Sequence, residues 1–110
     1  MKDNILYFGH IRDAIEKIEG YISGVNYDQF TSNSMMVDAV VRELAIIGEA
    51  SNNLSDDFRQ SHPDVPFRDI IDMRNILIHN YAGVNTKVVW DTCKNNLPEL
   101  KSFVEEILDD

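Results

Sequence analysis

Apolar residues recur along most of this chain at spacings of three and four, the signature of α-helices that each bury one stripe. Ile5, Phe8, Ile11, Ile15, Ile18 and Ile22 mark a first helix from about Asp3 to Ile22, with Asp3 as its N-cap. Gly24, Asn26 and Asp28 break the pattern and leave room for one short turn around Tyr27–Phe30. A second stripe of Val37, Val40, Val41, Leu44, Ile47, Gly48, Ser51 and Leu54 predicts a helix from Asn33 or Ser34 to Leu54. Gly48 costs that helix about 1 kcal/mol relative to alanine, so its presence predicts another helix packed very close.

Ser55-Asp56-Asp57 opens a short third helix that must end before His62-Pro63, because a residue preceding proline disfavours helical geometry. Pro66 suits the first position of a fourth helix, running to Ile78 or Asn80 and stopped by Ala82-Gly83. Asn85 or Thr86 caps the last helix, whose stripe is Val89, Trp90, Cys93, Leu97, Leu100, Val104, Ile107 and Leu108. Pro98 should kink or split it. No strand pattern competes. The expectation is all-α: an antiparallel up-and-down bundle of four main helices plus short helical turns, one domain over residues 1–110.

Bulk properties narrow the function classes. A chain of 110 residues suits one domain, and no apolar run approaches the roughly 20 residues of a membrane span. The start, Met1-Lys2-Asp3-Asn4, shows no secretory leader. One cysteine rules out an internal disulfide. A cytoplasmic protein without a membrane association is the expectation. The net charge of −9 argues against general nucleic-acid affinity, since phosphate binding rests on clustered Lys and Arg. Any RNA contact must use a local patch.

The chemistry concentrates in "RNILIHNY", Arg74 to Tyr81. A guanidinium grips a phosphate through two parallel hydrogen bonds and stabilises its developing charge. A histidine moves a proton near neutral pH. Together they fit metal-free phosphodiester cleavage, in which a ribose 2′-OH attacks and a cyclic phosphate forms. On an ideal helix Arg74 and His79 lie about 140° apart, and one imidazole cannot conveniently serve both sides of the phosphorus. A two-fold dimer would bring two copies of the motif to one groove. The plain structural alternative is that Arg74 and His79 complement the helix dipole and Tyr81 covers the core.

Other candidates carry less. His10, His62 and His79 lie on three segments with no HExxH or paired cysteines, so no metal site is expected. No glycine-rich phosphate loop is present, and no cofactor is expected. Cys93 falls on an apolar stripe and reads as inert core. Arg42 and Glu49 share a helix face. They form a structural ion pair, or Arg42 joins Arg68, Arg74 and Lys87 in a basic patch; both readings stand.

Beyond the motif, the whole chain resembles the HEPN superfamily, and within it the HepT toxins of HepT/MntA toxin–antitoxin pairs. That family's motif is Arg, four to six residues, His, any residue, Tyr, which stands here as Arg74 through Tyr81. "DAVVRELAIIGEASNNLSDDFRQSHPDVPFRDIIDMRN" resembles its second helix and the approach to the motif, and "GVNTKVVWDTCKNNLPELKSFVEEIL" its closing helix. Phe67 stands where the family often has tryptophan. The resemblance implies a homodimeric, metal-independent ribonuclease in which Arg74 holds the scissile phosphate and His79 transfers protons. Asn80 and Tyr81 would support the site. It implies a cognate minimal nucleotidyltransferase antitoxin that attaches AMP to Tyr81, placing bulk and negative charge where the RNA phosphate should sit. Arg42, Arg68 and Lys87 would be further phosphate contacts. A second reading takes the chain as a non-catalytic helical subunit that docks on the nucleotidyltransferase, with Tyr81 as a modification target only.

Overall fold

A computed structural model describes residues 2–79 and 84–109, with the backbone alone at positions 2, 3, 78 and 79. The helices are α1 (Lys2–Ile22), α2 (Tyr27–Thr31), α3 (Ser34–Asn52), α4 (Asp56–Ser61), α5 (Phe67–His79), α6 (Thr86–Asp91) and α7 (Leu97–Leu108), and a π-helical turn at Thr92–Asn96 joins the last two. No strand occurs among the described residues. The expected all-α bundle of four main helices is what the chain forms, with α1, α3, α5 and the α6–α7 arm as its long members.

Short polar side chains fix where the helices start. Asn26 and Gln29 make a reciprocal capping box at α2, with bonds of 2.8 and 2.9 Å. Asn33 accepts from the Met36 N–H at 3.0 Å, Ser55 from Phe58 at 3.2 Å, and Asn85 from Lys87 at 2.9 Å. Gly24, at φ 72°, turns the chain after α1, a backbone region that side chains disfavour.

Three local expectations are corrected. Asp3 lies inside α1 and does not cap it. Ile5 is 51% exposed, and its place in the stripe goes to Asn4, which is only 6% exposed. The reason is a polar tie: Asn4 accepts from the Ser55 N–H at 3.1 Å and donates to Ser55 Oγ at 3.3 Å, docking the start of α1 on the cap of α4. Pro66 stands one residue before α5, where its carbonyl accepts the Ile70 N–H at 3.1 Å. The stop expected at Ala82-Gly83 lies outside the described residues.

Pro98 does split the last helix, in a particular way. It sits in the first turn of α7. Having no N–H, and with a ring that crowds the carbonyl four residues back, it is incompatible with an ordinary turn before it. The π turn widens the helix there, and the Leu97 N–H reaches the Thr92 carbonyl five residues back.

α3 is central, packed on α1 along one side and α5 along the other, while α1 also packs on α7. The core joins Phe8, Ile11, Ile15 and Ile18 of α1 to Val40, Leu44 and Ile47 of α3 and to Leu97, Leu100 and Val104. Phe67, the first residue of α5, is buried within an aromatic cluster. Its ring centroid lies 6.1 Å from Phe103 and 6.5 Å from Phe58, and Phe58 lies 5.1 Å from Phe8. Edge-to-face pairs of this kind are worth about 0.5–1.5 kcal/mol beyond the area they bury. The aromatic expected at position 67 thus anchors the start of α5.

Gly48 meets the expectation of a close helix. A Cβ at Gly48 would lie 2.1 Å from Arg74 Cβ, 2.7 Å from Arg74 Cγ and 3.2 Å from the Ile70 carbonyl oxygen. The atoms in the way belong to the stem of Arg74 and the α5 backbone, so the helices themselves must part. Overpacking of this kind costs about 1–3 kcal/mol, against a propensity gain for alanine of about 1 kcal/mol. We expect Gly48→Ala to lower the melting temperature by several degrees. Gly9→Ala, on α1 with nothing within 4 Å of a new Cβ, should leave it unchanged or raise it. Equal melting temperatures for the two variants would refute the close α3–α5 contact.

Candidate active site

Arg74 lies near the middle of α5, on the side turned to α3. Its stem crosses Gly48, and its guanidinium emerges at the edge of the helix pair, where the side chain is 25% exposed. There it is held at two points. Nη2 donates to the Glu49 carboxylate on α3, and Nη1 donates to the side-chain oxygen of Asn75 at 2.9 Å. Nε is buried and has no partner among the described residues. A guanidinium carries five N–H groups. The two contacts therefore leave one N–H on each terminal nitrogen with no partner among the described residues.

His79 is the last residue of α5. Five residues of ideal helix separate it from Arg74 by about 7.5 Å along the axis. Asn80 and Tyr81 lie outside the described residues. A mostly apolar groove lies between α5 and α6, with Met73, Ile76, Val84, Asn85 and Val88 over the buried Leu77 and Val89. Ile76 is 61% and Val88 48% exposed.

The pairing of Arg42 with Glu49 is corrected. Arg42 Nη1 lies 3.4 Å from Glu43 Oε2 instead, and Glu49 belongs to Arg74. Residues seven apart share a face but stand about 10.5 Å apart along the axis, whereas side chains meet at three and four. The other cations proposed for a patch are each beside an acid. Arg68 Nε is 3.6 Å from Asp72, and Lys87 Nζ is 2.8 Å from Asp91. The hydrogen bond that Lys87 donates to Asp91 holds the Lys87 pKa above the usual lysine value, with the carboxylate's charge as the next cause. Arg42, Arg68 and Lys87 stand on three different helices, α3, α5 and α6.

Two side chains that orient Arg74, Glu49 and Asn75, escaped sequence reasoning as a group. The available signal was Gly48. A glycine that admits a neighbouring helix also brings the next residue, Glu49, against that helix.

The remaining histidines are accounted for locally. The His62 ring stacks on Phe58 at 4.2 Å between centroids. Its Nδ1 lies 2.9 Å from the Phe58 carbonyl, which can only accept, so Nδ1 carries the proton. His10 is exposed on α1, edge-on to Tyr7 at 6.0 Å. Among the described residues no three His, Cys, Asp or Glu gather as metal ligands would. Nor is any described helix long and apolar enough to cross a membrane.

The model of the family "Ribonuclease HepT-like" matches residues 11–107. This chain belongs to the HepT-like ribonuclease family, within the HEPN superfamily. "Putative RNase TTE0752" of Caldanaerobacter subterraneus subsp. tengcongensis is 40% identical over 98% of this chain and 96% of its own length. "Probable ribonuclease HepT" of Thermococcus cleftensis is 41% identical over 92% of each chain. No solved structure matches. In this HepT-like chain the segment from Arg74 to His79 lies on α5, the helix packed against α3.

Cys93 is not part of that chemistry. It is buried in the core, and burial pushes its thiol up to about 12. Thiolate, the reactive form, is then scarce at pH 8. Iodoacetamide at pH 8 should leave the native chain unlabelled over a period in which the chain in guanidinium is fully alkylated, as read by mass spectrometry. Equal labelling in both conditions would show that the thiol is accessible.

Proposed function

We propose that this chain is the toxin of a toxin–antitoxin pair, a metal-independent ribonuclease that cleaves cellular RNA, tRNA or mRNA, through Arg74 and His79. The observation that carries the reading is the Arg74 guanidinium, a quarter exposed at the edge of the α3–α5 contact with one N–H on each terminal nitrogen unpaired among the described residues, on the helix that ends at His79. In the proposed reaction the guanidinium binds the scissile phosphate. One imidazole takes the proton of the ribose 2′-OH as O2′ bonds to phosphorus. The P–O5′ bond breaks, and the leaving oxygen takes a proton from a second imidazole. The products are a 2′,3′-cyclic phosphate and a free 5′-OH.

The second imidazole would come from another copy of the chain, since each chain carries one motif. What supports this pairing is the exposed apolar surface of Ile76 and Val88 beside the motif. Isolated large apolar side chains are ordinary on a surface, but these two flank one groove between α5 and α6, which supports a contact there. Asn80 and Tyr81 would complete the site, and a cognate minimal nucleotidyltransferase would silence it by adding AMP to Tyr81. Arg42, Arg68 and Lys87 would meet the RNA backbone farther out. The partners of Arg68 and Lys87 are no obstacle, because exposed ion pairs contribute only about 0.2–1 kcal/mol.

Those same ion pairs favour the second reading, a docking subunit for the nucleotidyltransferase, because they leave the acidic surface without a free basic patch. One experiment separates the two. Purified wild-type, His79→Ala and Tyr81→Phe chains are incubated with cellular RNA in EDTA, and the 3′ ends are analysed. Cleavage that ignores EDTA, leaves cyclic phosphate and vanishes with His79→Ala is expected. Intact RNA with unmodified wild-type protein would give the docking reading its case. Ile76→Asp should convert a dimer to a monomer in sedimentation and remove cleavage together. A monomeric wild type that cleaves at full rate would sink the shared-site mechanism.

A further inference from the structure

We infer that Glu49 is the positioning residue of this site: it sets the direction of the Arg74 guanidinium toward the phosphate. The inference rests on the ribonuclease reading of Arg74 given above. Glu49 sits next to Gly48, where α3 and α5 come closest, so its carboxylate is delivered to Arg74 by the same contact that fixes the α5 backbone. The guanidinium has a competing preference. Its Nε–H is buried and lacks a partner among the described residues, and an unmade hydrogen bond in a buried place is costly. Left alone, the side chain would gain by rotating that N–H toward an acceptor. The bond from Nη2 to Glu49 opposes this rotation, and the bond from Nη1 to Asn75 restricts the other terminus.

The carboxylate has a second consequence. A negative charge beside a phosphate site weakens ground-state binding of RNA. Orientation and charge can therefore be separated by substitution. Glu49 is half-exposed on α3, and alanine and glutamine are good helix formers, so the variants should keep the fold.

The test measures kcat and KM for RNA cleavage with Glu49→Ala, Glu49→Gln and Glu49→Asp, each also in the Arg74→Ala background. Misplacing a reacting group by about 1 Å costs on the order of a hundredfold in rate. Glu49→Ala should lose about that much in kcat with its melting temperature little changed. Glu49→Gln keeps an oxygen acceptor and drops the charge, so it should retain kcat and show a lower KM. Glu49→Asp is too short and should resemble alanine. In the Arg74→Ala background, Glu49→Ala should cost nothing further. An additional loss there, or a Glu49→Ala chain that cleaves as fast as wild type or faster, would overturn the positioning role while leaving the ribonuclease reading intact. Wild-type protein that leaves RNA whole would overturn that reading and this inference with it.

Discussion

At the crossing of α3 and α5 the chain has no room for a single methyl group: a Cβ on Gly48 would sit 2.1 Å from Arg74 Cβ. That constraint decides more than helix spacing. With α5 this close, a carboxylate on the next residue of α3 reaches the end of an arginine whose stem is trapped between the helices. The guanidinium is thus held from two helices at once, although it emerges at the molecular edge. A larger residue at position 48 would separate the helices and leave Arg74 a mobile surface cation.

The rest of the fold works to hold α5 in that place. Phe67 locks its start between Phe58 and Phe103, so α4 and α7 both bear on the first turn. α4 is itself pinned to α1 by the bonds between Asn4 and Ser55. The far end of α5 is differently supported, with Leu77 buried but Ile76 open to solvent. α5 is thus fixed at its start and middle, with Ile76 exposed nearer its other end.

Electrostatics shape the same region. A chain with net charge −9 has no surplus of cations for RNA, and Arg42, Arg68 and Lys87 already face acids. What distinguishes Arg74 from these three is its stem. Their pairs each lie within one helix, and all three guanidinium or ammonium groups are open to water. Arg74 is partly buried and bridged to another helix, which lowers the entropy lost when it meets an anion.

The periodicity of the chain by itself determined the helices and most of their buried faces, because a helix that must bury one stripe writes that stripe into its sequence every three or four residues. The helix starts near Asn33 and Ser55 and a cap at Asn85 or Thr86 were legible for a similarly local reason, as was the close contact announced by Gly48. The motif string from Arg74 to His79 was also visible, since its residue types carry their chemistry with them. Partnerships were not. Arg42 and Glu49 lie on one face of one helix, yet their carboxylate and guanidinium found other partners, because pairing depends on which helices meet and at what height. Asn4 displaced Ile5 from the stripe because a cap fifty residues away needed a polar neighbour. Whether a charged side chain is tethered or loose is a property of the space between elements, and only the tertiary structure fixes that space.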